Sequence, residues 1–314
     1  MHVAICIATF KRPRLLQKLL CGLGQLRFAK VATPVITVIV VDNDTSGTAS
    51  EICRSTILPW QLKYLIEPKR GIAEARNCAL SQTGDADFVA FIDDDEVPSE
   101  TWLDELLAAQ AKFHADTVTG PVYPFFTGDV PEWIKKEDFF DRATHCSGDI
   151  LPTCATNNTL VARNVIDHIG GFDDRFQLIG VDDWHFFTRV RLAGMKIVWC
   201  EEAVVRETIS SDRANLGWIF RRAYRGGNSY AILECSLDDR VSLRLARFCK
   251  GSARILQGVL RAAASLLMGR GTFVRAMRNI CSGVGMITGI AGLRYQAYKT
   301  VTGDPNPGVT PSTV

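Results

Sequence analysis

The chain has 314 residues, 47% of them hydrophobic and 22% charged, which is enough apolar side chain for a real core and excludes a disordered, collagenous or disulfide-framework protein. Its formal charge of +2 conceals an asymmetry: residues 1–239 carry 25 basic and 33 acidic side chains, whereas residues 240–303 carry 11 basic side chains and no acidic one. A mildly acidic body therefore runs into a basic tail. Ten cysteines, none in a CxxC or CxH cluster, argue against a zinc or redox motif and for a reduced compartment with buried thiols.

From the N-terminus, Val3 to Ala8 is a continuous apolar run, as expected of a strand buried on both faces of a parallel sheet. It is too short for a signal peptide, and no basic residue precedes it. Pro13 sits where a helix can start, followed by Leu15, Leu16, Leu19, Leu20 and Leu23 at helical spacing. A second strand, Val35 to Val41, ends at Asp42-Asn43-Asp44; a short strand 62–66, a helix 72–81 and a strand 88–92 complete a βαβαβ pattern. This predicts an α/β fold with an open, mostly parallel sheet whose ligands lie beyond the carboxyl ends of the strands.

Three strand ends carry polar residues: Thr9-Phe10-Lys11-Arg12, Asp42-Asn43-Asp44 and Asp93-Asp94-Asp95-Glu96. Any one alone is explained by turns and helix caps, but three on one sheet edge point to a ligand site. Neither GxGxxG nor GxxxxGK[ST] occurs at the first turn, so a dinucleotide fold and a P-loop are unsupported. Asp93 and Asp95 are two residues apart and can face one site, where paired carboxylates call for a hard divalent ion, Mg2+ or Mn2+, shared with substrate phosphates.

A helix follows near residues 100–113, and the middle third, with Pro121, Pro124, Pro131 and Pro152, reads as irregular. Thr153 to Ala162, Gly170-Gly171-Phe172-Asp173, and Asp182-Asp183-Trp184 leading a helix to Ala193 form a second polar cluster, in which Asn157-Asn158 is an acceptor-loop candidate. His185, flanked by aromatic residues, reads as packed rather than catalytic. Lys196 to Cys200 is another strand.

The segments Ala4–Arg12, Val40–Ser46, Gly71–Asn77, Phe91–Glu96, Gly170–Asp173 and Val181–Phe186 together resemble the ordered motifs of glycosyltransferase family 2, over about residues 3–210. Within it, the Asp93–Pro98 ending and the basic tail are similar to succinoglycan glucosyltransferases of the ExoM type. The resemblance implies a GT-A fold and inverting transfer of a sugar from a nucleoside diphosphate sugar, with UDP-glucose suggested by the closer likeness. It implies that Thr9, Phe10, Arg12, Asp42, Asn43, Asp44, Arg76, Asp93 and Asp94 hold the donor, with Thr9, Phe10, Asp42 and Asn43 at base and ribose. It further implies that Asp95, with Asp93, binds the metal, and that the general base is Asp183. The family motif is usually Gly-Glu-Asp, whereas this chain has Val181-Asp182-Asp183, which leaves Asp182 open as the base. Where many members carry a His after the late strand, this chain has Arg206-Glu207, with Glu207 as a possible substitute ligand.

Arg213, Trp218, Arg221, Arg222, Tyr224 and Arg225 form a dense group that reads either as a solvated helix face or as a grip on the phosphate of the donor or of a lipid-pyrophosphate acceptor. Trp184 and Trp218 are the candidate sugar-stacking rings. Gly226-Gly227 is expected to end this element, dividing a catalytic domain, 1–225, from a tail, 226–314. On a helical projection of the tail, Arg240, Arg244, Arg247, Lys250, Arg254 and Arg261 fall within an arc of about 120°, while Val241, Leu245, Phe248, Ile255, Leu256, Val259 and Leu266 gather on another face. Such a helix either lies on an anionic membrane surface or packs its apolar side on the body. Residues 280–293 are expected to dip into the interface or to form a hairpin with Leu256–Met268; the longest charge-free run there, 279–293, has 15 residues and is too short to span a bilayer.

The sequence therefore predicts a metal-dependent, inverting glycosyltransferase at the cytoplasmic side of the inner membrane, peripheral or monotopic, acting on a lipid-linked or polysaccharide acceptor in surface or exopolysaccharide synthesis. Nucleic acid is not an expected partner, because the tail has few interleaved aromatic residues. A sugar nucleotidyltransferase would need a Gly-rich, Arg-containing loop that Thr9 to Arg14 lacks. A non-catalytic carbohydrate-binding protein would not need both the acidic triplet and Asp182-Asp183.

Overall fold

The computed structural model describes residues 1–296 apart from Gln177 and Asp239; the side chains of 266–268 also lie outside the described set, so the end of the expected tail, 297–314, and the expected places of Leu266 and Met268 are not described. The first hundred residues form β1 (His2–Thr9), α1 (Pro13–Leu23), β2 (Val35–Asp42), α2 (Ser50–Ser55), β3 (Gln61–Ile66), α3 (Ile72–Ser81), β4 (Phe88–Ile92) and β5 (Glu96–Pro98). Then come α4 (Trp102–Phe113), β6 (Thr117–Thr119), β7 (Val122–Thr127), α5 (Glu132–Lys135), β8 (Asn158–Ala162), α6 (Arg163–Ile169), α7 (Asp182–Leu192), β9 (Ile197–Trp199) and β10 (Val205–Ser210). Three helices close the described chain: α8 (Leu216–Leu237), α9 (Val241–Met268) and α10 (Arg270–Ile290).

Seven strands make one sheet in the order β3-β2-β1-β4-β8-β6-β9. Only β8 runs against its neighbours, β4 and β6. In β1, Val3, Ile5 and Ile7 face a core shared with α1 and α4, whereas Ala4 and Cys6 face one shared with α3 and α7. Burial of both faces explains why β1 reads as an unbroken apolar run. The cysteines are free; Cys6, Cys53, Cys154 and Cys200 are buried as expected, but Cys21, Cys146 and Cys249 are exposed.

Two expectations fail in the middle third. The segment read as a polar cluster contains β8, a central strand, and Asn158 is fully buried in it rather than in an acceptor loop. Its amide donates to the Pro121 carbonyl (3.0 Å) and the Ala203 carbonyl (2.7 Å) and accepts from the Trp102 indole (2.7 Å). Asn158 is tolerated there because its amide nitrogen and oxygen both find partners within the fold. Asn157 likewise donates to Glu96 (3.0 Å). In addition, β5, β10 and β7 form a small second sheet, in which Glu207 lies opposite Glu96, beside the acidic triplet.

The tail also differs from its sequence reading. Gly226-Gly227 does not end a helix, because α8 runs straight through it. A Cβ at Gly227 would stand 2.0 Å from the Ser282 carbonyl oxygen, and one at Gly285 would stand 2.1 Å from that of Tyr224. These glycines let α8 and α10 approach closely instead of breaking the chain. The helices α9 and α10 form the expected hairpin, turning at Gly269 with φ +89°. Among the described residues no helix is long and apolar enough to cross a membrane. On α9 the apolar row is open, with Val241, Leu245, Phe248, Leu256 and Val259 exposed. The basic arc is not simply an outer surface: Arg247 pairs with Glu234, while Lys250, Arg254 and Arg261 line a cavity toward α8 and α10.

Candidate active site

The carboxyl ends of β1, β2 and β4 meet on one edge, as the sequence predicts. A pocket there is lined by Phe10, Asn43, Arg70, Gly71, Ile72 and Ala75 among others, with the Arg70 guanidinium 4.5 Å from the Phe10 ring centre. Apolar walls plus a ring and a guanidinium plane suit a flat base. Asn43 shapes this pocket by organising the loop: its amide donates to the Glu67 (2.9 Å) and Lys69 (2.8 Å) carbonyls and accepts from the Gly71 amide (2.8 Å). Gly71 has φ +151°, a backbone conformation that favours glycine.

Three carboxylates expected at the donor, Asp42, Asp44 and Asp94, are engaged within the fold, although Asp94 also lines the pocket. Asp42 is fully buried and accepts from the Asp44 amide (3.0 Å), the Ala49 amide (2.8 Å) and the Tyr64 hydroxyl (3.0 Å), so it closes the turn after β2. Asp44 accepts from the Ser46 hydroxyl (2.5 Å); burial opposes its charge, but the Ser46 hydrogen bonds hold its carboxyl below the ordinary range. Asp94 accepts from the Thr9 hydroxyl (2.8 Å) and from Arg12 (3.0 Å), which fastens the end of β4 to that of β1. Burial raises the Asp94 carboxyl. Thr9 and Arg12 still line the pocket, with the Thr9 hydroxyl bonded to Asp94 and the Arg12 Nη1 shared between Asp94 and Asp95.

Asp93 and Asp95 occupy different electrostatic surroundings. The Asp93 side chain is 43% exposed and stands 3.5 Å from Arg76, whereas Asp95 is buried and bridged by Arg12 (3.2 Å) and Arg213 (2.8 Å). Burial, together with the charge of Glu207, pushes the Asp95 carboxyl up to about 7. Glu207 pairs with Arg142 (2.7 Å) and with Arg213; burial opposes its charge, but the two guanidinium groups hold it down to about 2. Arg142, from a segment outside any sequence motif, was not legible as part of the site. A divalent ion suits the donor set: the carboxylates of Asp93 and Asp95 are hard oxygen ligands, and the charged form of Asp95 is under-compensated despite two arginines.

Asp182 and Asp183 begin α7. Their environments differ. Asp182 is buried and receives a 2.6 Å ion pair from Arg76, whose other nitrogen reaches Asp93. Arg76 therefore joins the two acidic motifs. Asp183 remains partly exposed and accepts from the Trp184 amide (2.7 Å). Burial and then the charge of Asp182 push its carboxyl up to about 6. His185 packs on Phe176 with ring centres 4.8 Å apart, and burial lowers its pKa, as its packed reading predicted.

Of the candidate acceptor and phosphate residues, Trp184, Trp218 and Arg222 line a large cavity between α8, α9 and α10. Arg221 is exposed elsewhere on α8, and Arg225 stands near Arg222 without lining the cavity. Trp218 is stacked on Phe140 (5.3 Å) and covered by Arg213 and Arg222, so the more open ring is Trp184, 37% exposed.

The sequence profile named Glycosyl transferase family 2 matches residues 4–170, more than half of the chain. The chain belongs to glycosyl transferase family 2. A second profile, Glycosyl transferase family group 2, matches residues 88–293 and so extends into the C-terminal helices. This family 2 chain is 32% identical over 240 residues to the succinoglycan biosynthesis protein ExoM of Rhizobium meliloti (strain 1021), covering 74% of this chain and 75% of that one. The glycosyltransferase AglE of Haloferax volcanii is 24% identical over 244 residues, or 77% and 76% of the two chains. Among solved structures, a mannosyltransferase from Pyrobaculum calidifontis in complex with GDP-Man and Mn2+ shares the fold at a TM-score of 0.61 and 17% identity, covering 90% of this chain and 86% of that one. TarS of S. aureus in complex with UDP does so at 0.53 and 16%, covering 94% and 93%. As a family 2 member with this GT-A-like sheet, the protein is a glycosyltransferase.

Proposed function

We propose that the protein is an inverting, metal-dependent hexosyltransferase that moves a sugar from a nucleoside diphosphate sugar onto a lipid-linked acceptor in exopolysaccharide synthesis. The observation that carries this reading is the split between the paired carboxylates: Asp182 is neutralised by Arg76, while Asp183 stays partly open beside Trp184 with a carboxyl raised to about 6. A carboxylate in that range is matched to proton transfer near neutral pH.

In this mechanism Phe10 and Arg70 clasp the base, and Asn43 holds the loop beneath it. Asp183 takes the proton of an acceptor hydroxyl as its oxygen bonds to C1 of the sugar, and the bond from C1 to the diphosphate oxygen breaks on the opposite face. Inversion follows from that single displacement. Asp93 and Asp95 would hold Mg2+ or Mn2+, which supplies charge neutralisation at the leaving diphosphate. Arg76 links Asp93 to Asp182 and so fixes the spacing between donor and base. The Mn2+ in the solved mannosyltransferase supports the metal, and the likeness to ExoM supports exopolysaccharide synthesis. UDP-glucose is the proposed donor, on the sequence resemblance to succinoglycan glucosyltransferases. The exposed apolar row of α9 supports peripheral attachment to a membrane, with the sheet-bearing body as the catalytic unit and the α9–α10 hairpin as its membrane-facing part; the cytoplasmic side of the inner membrane is proposed on the sequence resemblance alone.

A screen of nucleoside diphosphate sugars with Mg2+ or Mn2+, read as released nucleoside diphosphate, tests this reading. Release should require the metal and disappear in Asp95→Ala; full turnover by that variant with every accepted donor would refute the assignment.

A further inference from the structure

The cavity between α8, α9 and α10 has a volume of ≈ 680 Å³. Six cationic side chains line it, Arg222, Lys250, Arg254, Arg261, Arg275 and Arg278, against one carboxylate, Asp138. Compensation is partial. Arg275 is bridged by Glu137 (2.7 Å) and Asp138 (3.1 Å), and Arg254 donates to the Ser282 hydroxyl (2.7 Å). The Nη1 atom of Arg222 is buried with no hydrogen-bond partner among the described residues, although the guanidinium lies 5.1 Å from the Trp218 ring. Burial presses the Arg222 guanidinium down to about 10, and it also lowers that of Arg278. Like charges crowded around a partly desolvated space repel one another, and an anion placed among them relieves that repulsion. Guanidinium forks match the oxygens of phosphate esters.

The location narrows the anion. Trp184, on the cavity wall, directly follows the proposed base Asp183. The helix that supplies Lys250, Arg254 and Arg261 to the cavity turns Leu245, Leu256 and Val259 outward. One helix thus offers cations on its inner side and an apolar row on its outer side. We propose that this cavity binds the diphosphate of a lipid-linked acceptor, so that the sugar it carries reaches Asp183 while its hydrocarbon chain leaves along the outside of α9. The assignment rests on the acceptor reading above and adds the place where its anion is held.

The full-length protein tests it in two arms. Inorganic pyrophosphate is titrated calorimetrically in the presence of EDTA, and phosphatidylcholine vesicles carrying either polyprenyl diphosphate or uncharged polyprenol are used in flotation. Pyrophosphate should bind, and K250Q/R261Q, both exposed positions, should weaken it at least about tenfold, the size of one lost charge-assisted hydrogen bond. R240Q/R244Q, on the exposed start of the same region, should not change it. Vesicles with polyprenyl diphosphate should retain more protein than those with polyprenol, and the difference should vanish in K250Q/R261Q. Absence of pyrophosphate binding, or binding unaffected by K250Q/R261Q, overturns the cavity as an anion site. Pyrophosphate binding without vesicle discrimination points to a soluble phosphate and overturns the acceptor lipid. Thermal melts identify a variant that has lost its fold, in which case Arg278→Gln is titrated instead. Sugar transfer from the donor to the lipid-linked acceptor is measured alongside in the wild type: its absence with every donor removes the proposed acceptor reading and leaves the titration to be judged by itself.

Discussion

Two adjacent aspartates with the same chemistry should respond oppositely to substitution. Asp183→Asn should lower kcat by about 100- to 10,000-fold with the melting temperature retained, as expected for loss of a general base. Asp182→Ala should instead cost about 3–5 kcal/mol of stability, read from denaturant unfolding, because it removes the buried carboxylate 2.6 Å from the Arg76 guanidinium and leaves that buried charge less compensated. The proton-transfer role also fixes a sign for pH. Asp183 must be deprotonated to act, so kcat should fall as pH drops through about 6, and a profile flat between pH 5 and 7 would exclude it as the base. The acidic triplet and Asp182-Asp183 were legible as residues, but their division of labour was not. It depends on Arg76, which is 106 positions from Asp182 in sequence and is brought to it only by the packing of α3 against the start of α7. Similarly, nothing in the pattern of Asp42-Asn43-Asp44 distinguishes a side chain that closes a turn from one that faces a ligand.

At the scale of elements, strands β1, β2 and β4 were readable because they are buried on both faces and their apolar runs are continuous. Strand β8 was not, since the partners that satisfy Asn158 come from Trp102, Pro121 and Ala203, far away in the chain. The glycine pair in α8 was misread for a related reason: what a glycine does depends on what stands opposite it. Neighbouring positions should therefore behave differently. Gly227→Ala places a Cβ against a backbone oxygen of α10 and should destabilise by about 1–3 kcal/mol. Gly226→Ala meets nothing within 4 Å and should gain about 0.5–1 kcal/mol from helix propensity. Thermal melts of the two single variants decide the matter, and equal shifts would remove the close-packing account of the hairpin.

For the whole molecule, the charge asymmetry of the sequence is real but is only partly on the outer surface. Lys250, Arg254 and Arg261 of the tail line a cavity shared with the catalytic body, while Arg240 and Arg244 stay exposed beside the open apolar row of α9. Attachment to a bilayer should therefore depend more on that row than on charge. The double variant Leu245→Glu, Val259→Glu should lose cosedimentation with anionic phospholipid vesicles while keeping its circular dichroism spectrum, and undiminished cosedimentation would place the contact elsewhere. The same row has a practical consequence. Val241, Leu245, Phe248, Leu256, Val259 and Leu260, open along one helix, form a patch of a kind that monomers in water rarely leave uncovered. In plain buffer the purified protein should cluster as its concentration rises, and a mild detergent should disperse it by capping the patch, so colloidal behaviour reports on this helix before any substrate is known.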